Sequence, residues 1–323
     1  MKLILRLLYF CSLYLFAAGG LNTAPVFAES SYVLNAGGFE ADANVSWPIY
    51  VAQEKGFLAK EGIQLKAVRT DKAIMGLIAG NFDVINAEAS TTILAAEKGA
   101  NVIVTYALSE RPSQYLVLSK GLTTLFELEG RNIGVFQVPS VGQIFIKKYL
   151  QKKGVNLGKI SFRRTGGSRE RFASILTGQI SATLLSTTYA FRSQQEGMKI
   201  ITSPADWDVF PWTSIVFRKQ WAEANSNIVV KYLRAINRAT LWLYDLVNFN
   251  DSLRILTPLS GLDESTIQWS LKSSIENKTY NLNKPDPETY QLVSNWLLSE
   301  GILSKPFMAS SIIDSRYYNE AVK

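Results

Sequence analysis

Short apolar runs alternate with longer stretches of helical periodicity through the first two-thirds of the chain. Runs at 32–36, 63–68, 82–86, 102–106, 115–118, 132–136, 160–164, 180–184, 199–202 and 213–217 have the length and β-branched content of buried strands. Most are separated by helical patterns, which predicts an α/β fold with mainly parallel sheets and crossover helices. After Arg218 the pattern becomes wholly helical. Ile228, Val229, Tyr232, Leu233, Ile236, Ala239, Leu243 and Val247 form one stripe that predicts a packed face. Two further helices are predicted over 264–274 and 286–299, the second opened by Pro285-Asp286-Pro287.

The alternation repeats itself. Residues 77–84 (LIAGNFDV) match 175–182 (ILTGQISA), placing Gly80 and Gly178 98 positions apart. At the same offset GANVI at 99–103 meets GMKII at 197–201. A register kept across a helix, a strand and the next helix predicts two α/β lobes of similar construction in one chain.

The N-terminus has a different character. Lys2 and Arg6 flank the start of an apolar stretch from Leu7 to Ala18, and the small-residue site Val26-Phe27-Ala28 precedes Glu29. These are the parts of a secretory signal peptide over 1–28, cleaved after Ala28. The apolar run is shorter than the roughly 20 residues a membrane span needs. Cys11, the only cysteine, would be lost with it, so no internal disulfide and no lipid anchor are expected in a mature chain beginning at Glu29. The expected location is the periplasm, as a soluble monomer. Cleavage leaves 295 of the 323 residues, enough for two lobes with real cores. The formal charge of +7 falls to about +5. Much of it lies between Lys147 and Arg171, read as a solvated face; nucleic acid is excluded as a partner for want of any binding motif.

Helix starts locate the working surface. Ser46 precedes Trp47-Pro48, Ser90 precedes Thr91-Thr92, Ser140 has Gln143 three residues on, and Ser168 follows Gly166-Gly167. Each has the form of an N-cap, and the Ser140 pair that of a capping box. Each helix follows a strand closely, so its N-terminus falls at the carboxyl edge of a sheet, where open parallel sheets bind ligands. Free N–H groups there favour polar acceptor groups.

With these elements in place the sequence resembles the periplasmic substrate-binding proteins that serve ABC transporters for nitrate, sulfonate, taurine and thiamine-pyrimidine-precursor uptake. PIYVAQEKGFL at 48–58, EGIQL at 61–65, AGNFDV at 79–84, LEGRNIGV at 128–135 and the stretch from Ser140 to Gly154-Val155 carry the resemblance, which spans about residues 31–250. It implies a two-lobed type II periplasmic-binding-protein fold, closing like a hinge on a small molecule and delivering it to an inner-membrane permease. Lobe one would comprise 31–117 plus 217–323 and lobe two 120–212, with hinges near 118–121 and 213–217. Ligand contacts would come from Phe39, Glu40, Trp47, Glu88, Ala89, Ser90, Ser113, Gln114, Ser140, Val141, Gly142 and Ser168, and from the segment after Leu185. At that last place many relatives carry an acidic residue and a proline. Here stand Ser186-Thr187-Thr188-Tyr189, so Thr187 and Thr188 are candidates without a transferable ligand. Trp212 adds an aromatic surface.

An enzyme is the rival class. The chain has no histidine, and its one cysteine lies in the predicted signal. Ser-His-Asp and Cys-His nucleophile systems and the usual zinc ligand sets are therefore excluded, and no cofactor is expected. Glu40 with Glu88 is the one carboxylate pair placed in the cleft, and nothing else supports hydrolysis. A periplasmic sensing subunit for a membrane receptor remains the alternative among binding roles. Two cleft carboxylates oppose a bare oxyanion, because unpaired desolvated charges of like sign cost several kcal/mol. The expected ligand is a small organic molecule carrying an amine or heterocycle, with room for a sulfonate or carboxylate as well.

Overall fold

The structure, a computed structural model, describes residues 32–40 and 42–323. The predicted signal segment and its cleavage site lie outside the described residues. Ten strands are present: β1 (Tyr32–Gly37), β2 (Ile63–Val68), β3 (Val84–Glu88), β4 (Val102–Ser109), β5 (Gln114–Leu118), β6 (Asn132–Val135), β7 (Ser161–Arg164), β8 (Ala182–Ser186), β9 (Lys199–Ile200) and β10 (Thr213–Arg218). The first half carries helices α1 (Trp47–Glu54), α2 (Phe57–Lys60), α3 (Ala73–Ala79) and α4 (Ala89–Glu97). The second carries α5 (Val141–Lys152), α6 (Ser168–Leu176) and α7 (Thr187–Gln195). A helical tail follows: α8 (Lys219–Ala224), α9 (Ser226–Tyr244), α10 (Phe249–Ser260), α11 (Glu264–Glu276), α12 (Pro287–Ser299) and α13 (Arg316–Ala321).

The strands sort into two five-stranded sheets, ordered β2-β1-β3-β10-β4 and β7-β6-β8-β5-β9. Each is parallel except for one strand that entered from the other sheet: β10 runs antiparallel to β3 and β4, and β5 antiparallel to β8 and β9. The fold is the expected two-sheet α/β architecture.

The internal repeat is visible atom by atom. Gly80 and Gly178 both end a helix at positive φ, +86° and +75°. Behind them Asn81 and Phe82 N–H groups fold back on the Gly76 carbonyl, as Gln179 and Ile180 do on that of Ser174. Asp83 N–H then reaches the Asn35 carbonyl at 2.8 Å and Ser181 N–H that of Asn132 at 2.8 Å. This corrects two predicted strands. The runs at 82–86 and 180–184 become strand only at Val84 and Ala182, because the N–H groups of Phe82 and Ile180 are spent in the turn. Phe82 and Ile180 are apolar for another reason: each plugs the space over a glycine. A Cβ on Gly37 would fall 2.6 Å from the Phe82 ring, and one on Gly134 would overlap Ile180.

The crossings between the sheets differ from the expected hinge positions. The chain leaves the first sheet at Ser109 and joins the second at Gln114; it leaves the second at Ile200 and rejoins the first at Thr213. The strands at those expected positions are paired, β5 within the second sheet and β10 within the first. Leu118 pairs with Ala182 and Lys199, while β10 is paired along both edges, so neither strand has free backbone to bend. The connecting segments 110–113 and 201–212 lie outside both ladders. They run side by side, Phe210 N–H bonding the Glu110 carbonyl and Trp212 N–H that of Ser109, each at 2.8 Å.

The tail does more than thicken the first half. α9 buries Val229, Tyr232, Leu233, Ile236, Ala239 and Leu243 against α1, α2 and α13, each large side chain contributing roughly 1.5–3 kcal/mol. Val247, read as part of that stripe, is 81% exposed, because the helix ends at Tyr244 and Asp245 accepts from Val247 N–H to start a new turn. α12 packs on both α4 and α5, and α11 on α7, with Trp269 stacked on Phe191 and Tyr115 O–H 2.7 Å from Ser273 Oγ. The tail thus braces elements of both sheets.

Candidate functional site

A cavity of about 470 Å³ lies where the carboxyl ends of the two sheets face each other. From the first sheet come Glu40, Asn86, Glu88 and Thr91; from the second, Phe136, Gln137, Ser168 and Arg171; from the crossings, Gln114, Trp212 and Thr213. A small side chamber of about 20 Å³ continues past Glu88, Gln114, Arg171 and Trp212 to Ser140 and Gly142. Parallel strands and the short turns that follow them deliver all these groups to one edge.

Of the residues singled out in the sequence, Glu40, Glu88, Gln114, Ser140, Gly142, Ser168 and Trp212 stand on these walls. The others line neither chamber. Phe39 and Trp47 are buried in the core beneath the first sheet, at 1% and 0% exposure: the helical side of α1 that meets α9 and α10 claims Trp47. Ala89, Ser90, Ser113 and Val141 are packed behind the wall. Thr187 and Thr188 are engaged elsewhere, Thr187 on the Ser113 carbonyl and Thr188 on the Asp42 carbonyl at 2.7 Å.

The four serines also divide. Ser140 is a true N-cap, its Oγ accepting from Gln143 N–H at 3.2 Å, but Gln143 Oε1 makes no return bond, so the box is half formed. Ser46 lies in a short 3-10 turn and accepts from Glu40 N–H instead. Ser90 sits inside α4 and donates to Glu88 Oε2 at 3.5 Å. Ser168 opens α6 and accepts from Arg171 Nη2 and Ser186 N–H, both at 3.1 Å.

Arg171 departs from its sequence expectation in the opposite direction. It was grouped with a solvated basic face, yet it is 6% exposed and lines both chambers. Its guanidinium is fixed by the Leu184 carbonyl at 2.9 Å, the Gly166 carbonyl at 2.6 Å and Ser168 Oγ. Burial pulls its pKa down to about 10, against the attraction of Glu88, Glu40 and Glu170. Facing it, Glu88 ends β3 opposite Thr213, and burial pushes its carboxyl up to about 7 despite the pull of Arg171. Glu40 is raised too, mainly by burial, with Arg69 opposing. The signal that could have exposed Arg171 was its place three residues after Ser168, on the first turn of a helix entering the cleft. Among the described residues Asn86 Oδ1, Gln114 Oε1 and Thr213 Oγ1 are buried without a hydrogen bond, so the wall holds unspent polar capacity.

One network closes the mouth. Asp42, on the β1–α1 connection and 3% exposed, accepts from Tyr189 O–H at 2.7 Å and from Arg169 Nη2 and Nε at 2.8 and 3.1 Å. Arg69 stands 3.6 Å from both Asp42 and Glu40 and 3.3 Å from Glu170. Arg164 meets Asp71 at 3.3 Å, and Gln137 donates to Thr91 Oγ1 at 3.2 Å. Apart from those of Arg69 with Asp42 and Glu40, which lie within the first half, these contacts join the first half to the second.

Residues 43–245, well over half of the chain, match the family model described as NMT1/THI5 like. The chain belongs to the NMT1/THI5-like family. This member is 22% identical over 276 residues to YtlA of Bacillus subtilis (strain 168), whose name describes it as a binding protein, with 80% of this chain and 79% of YtlA covered. Its fold is that of the alkanesulfonate-binding protein SsuA from Xanthomonas axonopodis pv. citri bound to MOPS (TM-score 0.74, 16% identity, 89% of this chain and 99% of that one). It is also that of the periplasmic nitrate-binding protein NrtA from Synechocystis PCC 6803 (TM-score 0.76, 14% identity, 90% and 88% covered). Among the described residues of this family member no helix is long and apolar enough to cross a membrane, and no group of His, Cys, Asp or Glu could hold a metal ion.

Proposed function

We propose that this protein is the solute-binding component of an ABC import system, exported to the periplasm after cleavage at Ala28, and that it catalyses no reaction. The observation that carries the reading is the 470 Å³ chamber between two sheets, the size of a small-molecule site, reached by side chains from both halves and from both crossings. Ligand contacts shared between two halves stabilise the closed arrangement over the open one, which is how a ligand drives hinge closure. The flexing segments are 110–113 and 201–212, and a permease reads the closed form.

The ligand is a small organic molecule with an amine or nitrogen heterocycle, with space for an acidic group. Glu88 and the unspent Asn86 and Gln114 oxygens are acceptors that a nitrogen donor satisfies, and a bare oxyanion would meet two carboxylates at Glu40 and Glu88. Trp212 and Phe136 supply flat apolar wall. Calorimetry on ligand-stripped protein against nitrate, sulfate, taurine, alkanesulfonates and aminopyrimidines tests the assignment. Tight nitrate or sulfate binding by the unsubstituted protein, with both carboxylates in place, would refute it.

A further inference from the structure

Two charges of opposite sign, a buried Arg171 and a half-buried Glu88, line the same two chambers without forming an ion pair. Arg171 uses three of its five N–H groups on Leu184, Gly166 and Ser168, and neither it nor Glu88 forms an ion pair among the described residues. The other charges nearby are answered: Glu40, Asp42 and Glu170 by Arg69, Asp42 also by Arg169, and Asp71 by Arg164. A buried charge left without a direct partner is costly, and whatever fills the space between these two must answer both.

We propose that the chamber selects a molecule presenting an N–H donor beside a carbonyl-type acceptor, the donor docking on Glu88 and the acceptor on Arg171. This rests on the solute-binding reading and narrows it to an amide-type edge, in an open chain or a ring. A bare cation satisfies Glu88 and brings a second positive charge against Arg171. A bare anion does the reverse. The neutral edge leaves both charges partnered, and Asn86 Oδ1 and Gln114 Oε1 accept any second N–H the donor side carries. The rigid anchoring of Arg171 keeps it from swinging away to make room for a cation.

Three probes of equal chain length, pentanamide, pentylammonium and pentanoate, are titrated by calorimetry at pH 8 into the mature protein, Glu88→Gln and Arg171→Gln. Pentanamide is expected to bind the wild type at least tenfold more tightly than either ion. Glu88→Gln should bring pentanoate up to within a few-fold of the amide, and Arg171→Gln should do so for pentylammonium. If Arg171→Gln does not fold, Glu88→Gln decides alone, with Arg171→Lys expected to keep the wild-type order. An ion that matches pentanamide on the wild type, or an order unchanged by Glu88→Gln, overturns the proposal. So does failure of all three probes to bind. Native mass spectrometry with the small-molecule fraction of a periplasmic extract separates the two levels: an adduct there with no binding of the probes sinks only the amide-edge inference, whereas no adduct at all sinks the solute-binding reading beneath it.

Discussion

Removing the carboxylate of Asp42 tests whether the mouth of the cleft is held by one residue. In Asp42→Ala the side chain loses three donors within 3.1 Å, from Tyr189 and Arg169, and a weaker attraction to Arg69 at 3.6 Å. Arg169 and Arg69 keep 55% and 34% of their side-chain surface in solvent, so each pair is screened and contributes at most about 1 kcal/mol. Tyr189 is 3% exposed, and its bond to a carboxylate is worth about 1.5–3 kcal/mol. The sum is about 1.5–5 kcal/mol for Asp42→Ala. Asp42→Asn keeps one acceptor oxygen and should cost about half as much. In urea unfolding the alanine variant should lose that stability, and a double-mutant cycle with Tyr189→Phe should return a coupling of about 1–2 kcal/mol. Stability within about 0.5 kcal/mol of wild type, roughly the scatter of a neutral surface change, would refute the reasoning.

Other expectations follow from the same geometry. The carboxyl of Glu88 is raised from 4.5 to about 7 in the folded state, so the fold binds that proton more tightly than the unfolded chain. This contribution is fully present below about pH 4.5 and is lost as pH rises through 7, a decline of roughly 3 kcal/mol that Glu88→Gln should abolish in thermal scans across that window. A slope unchanged in the variant would contradict it. Gly134→Ala and Gly37→Ala should each cost about 1–3 kcal/mol by overpacking against Ile180 and Phe82, measured by denaturant midpoint; neutral variants would deny the plugs their role. Intact mass of periplasmic material should correspond to a chain beginning at Glu29, and a mass retaining Met1 would reject the export reading.

Most of the ten strands were legible as short apolar runs between turn residues, and the repeat was legible because Gly80 and Gly178 must take a positive φ in the same turn. Two strand starts were misplaced, since Phe82 and Ile180 are hydrophobic like strand residues while their backbone is committed to a turn. The site was legible only where position along a strand decides it. Glu88 and Gln114 stand at strand ends and so reach the cleft, and Ser140 begins a helix there. Trp47 belongs to a helix whose rotation about its axis no single-sequence pattern sets, and both it and Phe39 lie inward, in the core cluster that residues of α9 share. Arg171 was hidden by its neighbours: Arg163, Arg164 and Arg169 are solvent-facing, and only the tertiary approach of the Leu184 carbonyl makes this one a buried wall residue.

The central claim, closure of two halves around a small molecule, can be measured directly. Residues 29–323 contain no cysteine, so a cysteine pair introduced at the exposed positions Lys72 in the first half and Arg163 in the second can be labelled cleanly. The distance between the labels is then followed while the small-molecule fraction of a periplasmic extract is added, with native mass spectrometry on the same sample. The account predicts a one-to-one adduct on the order of a few hundred daltons, fitting the chamber, and a shorter distance that tracks its occupancy. An adduct that leaves the distance unchanged would contradict closure, and a distance that shortens with no adduct would contradict the claim that a bound molecule drives it.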